Sequence, residues 1–195
     1  MAITINGSGG VTGLTALPDS AMSSGSIIQV QHTMVTSVSS FTVSATNTLY
    51  PITALDTAIT STIANSKFIM SGQVYSELNG DDAEWGYVVG RSVSGTETYF
   101  ARGDASGNRH RYTRVMDVGY RGSDNSSTAS CSTIPCLVDS PNVSAGTTLT
   151  YRINLNSSGG TPSWTFYLNQ SVDDYANVWY TDRGVSYITV MEVAP

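Results

Sequence analysis

The chain has little charge. Asp, Glu, Lys and Arg make up 12% of its 195 residues, and nine basic residues face fifteen acidic ones, for a formal net charge of −6. Nucleic acid and anionic membranes both select a basic face, so this balance argues against either as a partner. No apolar run approaches the ~20 residues that span a bilayer, and membrane insertion is not expected. The N-terminus lacks the basic start and apolar core of a secretory signal. The expectation is a protein made in the cytoplasm, and either kept there or assembled there into something that later leaves.

Metal-binding and nucleophilic side chains are scarce as well. With two histidines, His32 and His110, and two cysteines, Cys131 and Cys136, a structural zinc site with its four ligands is not expected. The cysteines flank Ser-Thr-Ile-Pro. They close a small disulfide loop if their Cα atoms lie within ~7 Å, or they are two thiols of a cytoplasmically made protein; the spacing leaves both open. No Gly-x-Ser-x-Gly or His-Glu-x-x-His occurs, and neither histidine has a serine or cysteine nearby in a nucleophile setting. A carboxylate pair assembled by the fold is the remaining catalytic option. The chain is read as non-enzymatic and free of cofactors and metals.

What the chain does have is neutral polarity and alternation. Hydrophobic residues make up 40%, enough for a core, and 28 Ser with 24 Thr supply the surface. That composition suits strands better than helices. At this length one domain buries roughly 70% of its unfolded surface.

The clearest pattern runs from Thr147 to Asn169. Leu149, Tyr151, Ile153 and Leu155 alternate with Thr148, Thr150, Arg152 and Asn154, the period of a half-buried strand. A turn-rich stretch, Asn156 to Pro162, leads to Trp164, Phe166 and Leu168 alternating with Thr165, Tyr167 and Asn169. The pair predicts an antiparallel hairpin, with Trp164, Phe166, Tyr151 and Ile153 in the core.

Further strands are expected from Ile27 onward, including Lys67–Leu78. Asn79-Gly80 signals a tight hairpin turn into Trp85–Val89, and Ser94-Gly95 turns the chain into Thr98–Phe100. Gly103–Arg109 reads as a polar loop and Gly119–Ser132 as an extended loop-like stretch. Val185–Val193 carries apolar groups on both faces, the mark of a central strand. The fold class is therefore all-β, a single β-sandwich or jelly-roll-like domain over 26–195.

Residues 1–25 differ. Ile3, Ile5, Val11, Leu14, Leu17 and Met22 are scattered among Gly, Ser, Asp and Pro, too sparse for a core of their own. This stretch reads as an extended arm that docks on a partner.

Other groupings are weighed against plain alternatives. Arg102, Arg109, Arg111, Arg114 and Arg121 place five of the nine basic residues within twenty positions, a candidate patch for acidic sugars or a neighbour's carboxylates; ordinary strand-edge arginines are the alternative. Asp81, Asp82 and Glu84 match no calcium motif and read as a solvated turn, as do Asp173-Asp174. Arg102-Gly103-Asp104 is too short to carry a function. Eleven tyrosines and three tryptophans exceed what one small core needs, and such side chains anchor interfaces and stack on sugars.

Two stretches resemble virion structural proteins of tailed phages, of the marine and cyanobacterial type. The first is Met1–Met22, with Ile5-Asn6-Gly7-Ser8-Gly9 and Gly13-Leu14-Thr15-Ala16-Leu17-Pro18-Asp19-Ser20. The second comprises Leu137–Pro141, Thr147–Ile153, Tyr167–Ser171 and Ile188–Val193, with the Gly103–Arg109 loop between. The resemblance implies a fibre-like particle component assembled in the host cytoplasm, attached to capsid or tail proteins, homotrimeric by analogy, with a host surface glycan as a candidate contact. A stand-alone carbohydrate-binding module is the rival reading.

Overall fold

The computed structural model of the chain describes residues 4–5, 11–12, 21–79, 85–116, 129–157, 163–177 and 181–195. Two short strands, β1 (Thr4–Ile5) and β2 (Val11–Thr12), pair with each other in a small sheet of their own. The rest is a sandwich of two sheets. Its strands are β3 (Ile27–Val35), β4 (Ser39–Val43), β5 (Leu49–Pro51), β6 (Thr57–Thr60), β7 (Lys67–Leu78), β8 (Trp85–Val93), β9 (Thr96–Tyr99), β10 (Arg114–Met116), β11 (Ser130–Asp139), β12 (Thr148–Ser157), β13 (Trp164–Leu168) and β14 (Ser186–Val193). All ladders among the described residues are antiparallel.

Several of these strands are halves of one row. β13 and β14 both run along the same side of β7, β13 opposite Ser76–Leu78 and β14 opposite Lys67–Gln73. The row leaves the sheet after Leu168 and re-enters at Ser186. Asn169 and Ser186 splice the break. The Asn169 amide donates to the Tyr75 carbonyl (2.8 Å), the Ser186 hydroxyl accepts from the Tyr75 amide (2.9 Å), and that hydroxyl donates to Asn169 Oδ1 (2.6 Å). β3 and β4 form the matching edge row, and Asn169 Nδ2 bonds the Val35 and Ser37 carbonyls at its own break (2.8 and 2.9 Å). β5 with β6, and β9 with β10, are likewise successive pieces along β12 and β8.

Counted as rows in chain order, the sandwich has eight. The first sheet reads 1-8-3-6, that is β3/β4, β13/β14, β7, β11. The second reads 2-7-4-5, that is β5/β6, β12, β8, β9/β10. Two four-row sheets in this order are a jelly roll, in which most consecutive rows cross from one sheet to the other.

This order corrects two sequence expectations. β12 and β13 do not form a hairpin: β12 lies in the second sheet and β13 in the first. β7 and β8 are likewise separated between the sheets, although Asn79-Gly80 has hairpin character. The alternation places the apolar residues on inner faces in both cases, but period 2 specifies a face and leaves the partner open. Ser94-Gly95 does close a two-residue hairpin between β8 and β9, both residues having positive φ, as its twist requires. β14 lies between β3 and β7, the central place expected for it. The cover expected on both its faces is not complete, since Tyr187, Thr189 and Met191 on its outer side are only half-buried.

The core fills the space between the sheets. Phe68 of the first sheet meets Tyr151 of the second (ring centroids 5.9 Å apart), and Trp85 packs edge-on against Phe166 (6.3 Å) and Tyr87 (5.7 Å). Tyr151, Ile153 and Phe166 are fully buried, as expected, but Trp164 only borders the core. The tryptophan at its centre is Trp85, 2% exposed.

Polar groups also join the layers. Ser76 and Tyr87 share a hydrogen bond of 2.5 Å, and Asp139 accepts from Arg91 (2.5 Å) and Tyr151 (2.8 Å). Burial, followed by the charge of Asp139, holds the Tyr151 phenol well above its usual range. Glu192 receives bonds from Gln29, from the Ser61 and Thr62 hydroxyls, and from the Thr62 and Ile63 amides. Burial pushes this carboxyl up, and those donors more than offset the push, so it sits below the ordinary glutamate range.

Candidate interaction surfaces

The two sheets treat their outer faces differently. On the second sheet, Val88 and Asn154 point outward yet are buried, at 1% and 2% exposure. The cover comes from the end of β9 and from the excursion between β9 and β10. Tyr99 lies over Gly90, where an added Cβ would meet its ring at 2.9 Å, and Tyr112 lies over Gly86, where the distance is 2.8 Å. Glycine inside a strand commonly marks such a close approach. Arg152 completes the cover with a fork to Asp56 (2.6 Å at its shortest) and a second pairing to Glu97. Burial lowers the affinity of this guanidinium for its proton, but the Asp56 hydrogen bond and charge, with Glu97, reverse the effect and raise it.

The arginine patch belongs to this cover. Arg102 sits 5.4 Å above the Tyr99 ring, and Arg111 Nε donates to the Gly103 carbonyl at 2.5 Å. Arg109 is exposed in the same excursion, and Arg114 is exposed at the start of β10. These four are brought onto one loop and its exit strand; Arg121, Asp81, Asp82 and Glu84 lie outside the described residues. Arg91 and Arg152, which sequence spacing did not single out, make the buried and half-buried ion pairs. Their partners Asp139, Asp56 and Glu97 are tens of residues distant, so no local pattern marks them.

The tyrosines serve chiefly as latches. A third example is Tyr75, whose ring lies against Gly184 and holds the excursion between β13 and β14 on the first sheet. Val172 N adds a 2.7 Å bond to Glu77 there, and Arg183 pairs with Asp174. Among the described tyrosines only Tyr175 is strongly exposed, so the expectation of many free aromatics is corrected.

That excursion covers one end of the first sheet's outer face; beyond it the described outward side chains, Lys67 among them, are exposed or half-buried. Cross-strand register sets Val30, Met191, Ile69 and Val138 in one line across all four rows. A second line holds Met34, Tyr187, Gln73 and Thr133. Val30, Met34 and Val138 are 51%, 58% and 62% exposed. Between the lines His32 Nδ1 meets the Thr189 hydroxyl at 2.8 Å.

Cys131 and Cys136 lie on β11, both exposed and free. Cys131 pairs with Tyr75 and Cys136 falls in the bulge between Ile134 and Leu137, about four residues on along β7, so their Cα atoms lie roughly 13 Å apart, beyond disulfide reach. The disulfide alternative is thereby removed, and part of the stretch read as a loop is strand.

An open groove of about 530 Å³ runs between the sandwich's free edges, lined by Ser39–Thr42 of β4 and Tyr50–Ala54 at the end of β5. Phe41 and Tyr50 stack there with centroids 6.1 Å apart. The Tyr50 hydroxyl accepts from the Ser44 and Ala45 amides, at 3.0 and 2.8 Å.

Of the arm residues, Ile5 pairs with Val11 across β1 and β2. Met22 is half-buried, just before a turn closed by Ser26 N to Ser23 O (3.0 Å). Ile3, Leu14 and Leu17 lie outside the described residues. Gly25 N donates to the Ala194 carbonyl (3.0 Å), fixing where the arm meets the sandwich, beside β3 and the chain's end.

No family model matches the chain, and no curated protein matches it. Among solved structures it is similar to a chain in the structure of the infectious bursal disease virus Gx strain, with 12% identity and a TM-score of 0.41 over 100% of this chain and 45% of that one. It is similar also to the infectious bursal disease virus VP2 subviral particle, with 12% identity and a TM-score of 0.36 over 87% of this chain and 43% of that one. The chain spans less than half the length of either. The jelly roll rests on the strand order itself.

Proposed function

We propose that the chain is a structural protein of a virus particle: a short fibre, knob or decoration of a tailed phage, joined to capsid or tail through residues 1–25. The observation that carries this reading is the eight-row jelly roll with a filled core, which leaves outer faces, loops and the arm for contacts. Viral shells use this architecture, and so do lectins. The sequence resemblance in Met1–Met22 and in Leu137–Val193 points the same way.

In this reading Ile3, Ile5, Val11, Leu14, Leu17 and Met22 seat the arm on another virion protein, and the sandwiches close as a homotrimer, a symmetry common in fibres. Arg102, Arg109, Arg111 and Arg114, with Arg121, face an acidic host glycan or a neighbour's carboxylates. The particle is assembled in the host cytoplasm. The role is non-catalytic: Asp139, Glu192, Asp56 and Glu97 are all engaged by donors within the fold.

Deleting residues 2–24 tests the assignment. The expected product is a folded sandwich with a near-native melting temperature that no longer joins particles. Incorporation at normal copy number would overturn the role of the arm. The Phe41–Tyr50 groove favours the rival reading, a carbohydrate-binding module. That module would keep full glycan affinity without residues 2–24 and lose it on Phe41→Ala.

A further inference from the structure

The two sheets leave four edge rows, and these are guarded unequally. A free edge presents unpaired N–H and C=O groups that template pairing with another strand; proline, charge, bulges and short strands blunt it. β5 carries Pro51, which has no N–H to donate, and β6 in the same row has only four residues. β9 and β10, of four and three residues, are parted by the excursion between them. β11 is long, but Pro135 and a bulge between Ile134 and Leu137 interrupt it. The remaining row holds β4, of five residues, and β3, of nine. β3 pairs with β14 on one side and with no described strand on the other. Its register shift falls at Ile28, so Gln29–Val35 runs on as a regular strand with no proline, acid, lysine or arginine.

We infer that this edge pairs with the same edge of a second copy, antiparallel, about a twofold axis through His32. Across the axis Gln29 faces Val35, Val30 faces Met34 and Gln31 faces Thr33. Val30 and Met34, 51% and 58% exposed, stand two residues to either side of His32, and this register sets each against the other. The occupant must itself be a strand with unpaired main-chain groups, and it must suit an uncharged edge in a chain of net charge −6. β3 meets both demands, and like charges, which destabilise a sheet when directly opposite, do not meet. The two acidic residues that β3 touches are already engaged. Glu192, bonded by Gln29, also receives the Thr62 and Ile63 amides, and Asp56, whose carbonyl accepts from Thr33, pairs with Arg152. The contact is isologous and uses neither the arm nor the arginine patch, so it stands apart from the proposed place on a virion.

The hydrogen bonds set the strength. Gln29–Val35 against its copy forms roughly six to eight of them between main chains, within the ~5–15 of a typical interface. Few side chains are covered besides Val30, His32 and Met34. The pairing is therefore weak, dissociated in dilute solution and formed where copies are concentrated, as on an assembled particle.

Sedimentation of the full chain from ~10 μM to ~1 mM tests it, the range in which weak contacts form. The expected result is a mass that doubles across the range, from monomer to dimer or from trimer to hexamer. Val30→Lys with Met34→Lys sets like charges opposite each other and abolishes the doubling at an unchanged melting temperature. Val30→Lys with Met34→Glu restores it. The register is read by cross-linking with oxidised glutathione in a chain that also carries Cys131→Ser and Cys136→Ser. His32→Cys gives a covalent dimer, because directly opposed Cβ atoms lie ~5 Å apart. Val30→Cys, roughly 13 Å from its counterpart, does not. A mass that stays flat for the parent chain overturns the inference, and so does doubling that survives the paired lysine substitutions. Failure of the lysine–glutamate chain to restore it, or cross-linking of Val30→Cys as readily as His32→Cys, overturns the twofold register.

Discussion

The outer faces of the two sheets come from the same alternation and end differently. On the second sheet the outward positions include Gly86 and Gly90, and the absent side chains let Tyr112 and Tyr99 settle onto the backbone. On the first sheet the outward positions of β7 keep side chains: Gln73 Nε2 bonds the Val185 carbonyl (3.2 Å) at the border of the excursion, and away from it Val30, Met34 and Val138 are exposed. A ring against a glycine closes a face whichever element supplies which: the strand gives the glycine at Gly86 and Gly90, and the ring at Tyr75 against Gly184.

The largest expected effect falls between the faces. Trp85→Ala removes the tryptophan that both sheets pack against and should cost about 3–5 kcal/mol in chemical denaturation. Trp164→Ala, at the border of the core, should cost distinctly less; equal losses would shift the centre of the core toward β13.

On the closed face, Gly90→Val forces its side chain into Tyr99. A loss of about 1–3 kcal/mol is expected, as for overpacking, together with faster proteolysis within residues 100–113. An unchanged stability would mean that the tyrosine does not seal the sheet.

Glu192 gives the comparison a dependence on pH. Its folded carboxyl titrates below its unfolded value, so its contribution is fully present above the unfolded value of about 4.3 and is lost as pH falls through the lower folded one. Melting temperature should drop on acidification through that window. Glu192→Gln leaves buried donors short of an acceptor, costs about 1–3 kcal/mol, and should flatten the drop. A variant that keeps the parent's full acid sensitivity would assign it to other carboxylates.

The smallest effect belongs to the open face. Val30→Thr should change stability by no more than about 0.5 kcal/mol, because the residue touches water in the single chain. A loss comparable to that of Gly90→Val would show that the face is covered.

The alternation in Thr148–Ser157 was legible because its inner face is completely buried, the central place of β14 because it carries apolar residues on both faces, and the Ser94-Gly95 hairpin because its turn chemistry is local. The pairing of β12 with β8, and of β13 with β4 and β7, was not. Nothing in a period of two distinguishes a neighbour in the same sheet from one across the core. Trp85 is expected from the sequence only as the start of a strand and not as a core residue, because Trp85–Gly90 is buried on both faces, which hides the alternation. Its two glycines were the available signal of a covering loop. Asn169 looked like one polar residue among many, and its role appears only when Tyr75, Val35, Ser37 and Ser186 are brought around it.

That splice has a consequence for how the protein tolerates change. Because Asn169 and Ser186 hold the two half-strands in register against Tyr75, the sheet does not measure the length of what is threaded between them. Each doubling of such a segment costs only about 0.6 kcal/mol in closure entropy. The stretch between Val172, held on Glu77, and Arg183, bridged to Gln170, is thus a cassette: foreign sequence grafted inside it would be displayed from two fixed posts.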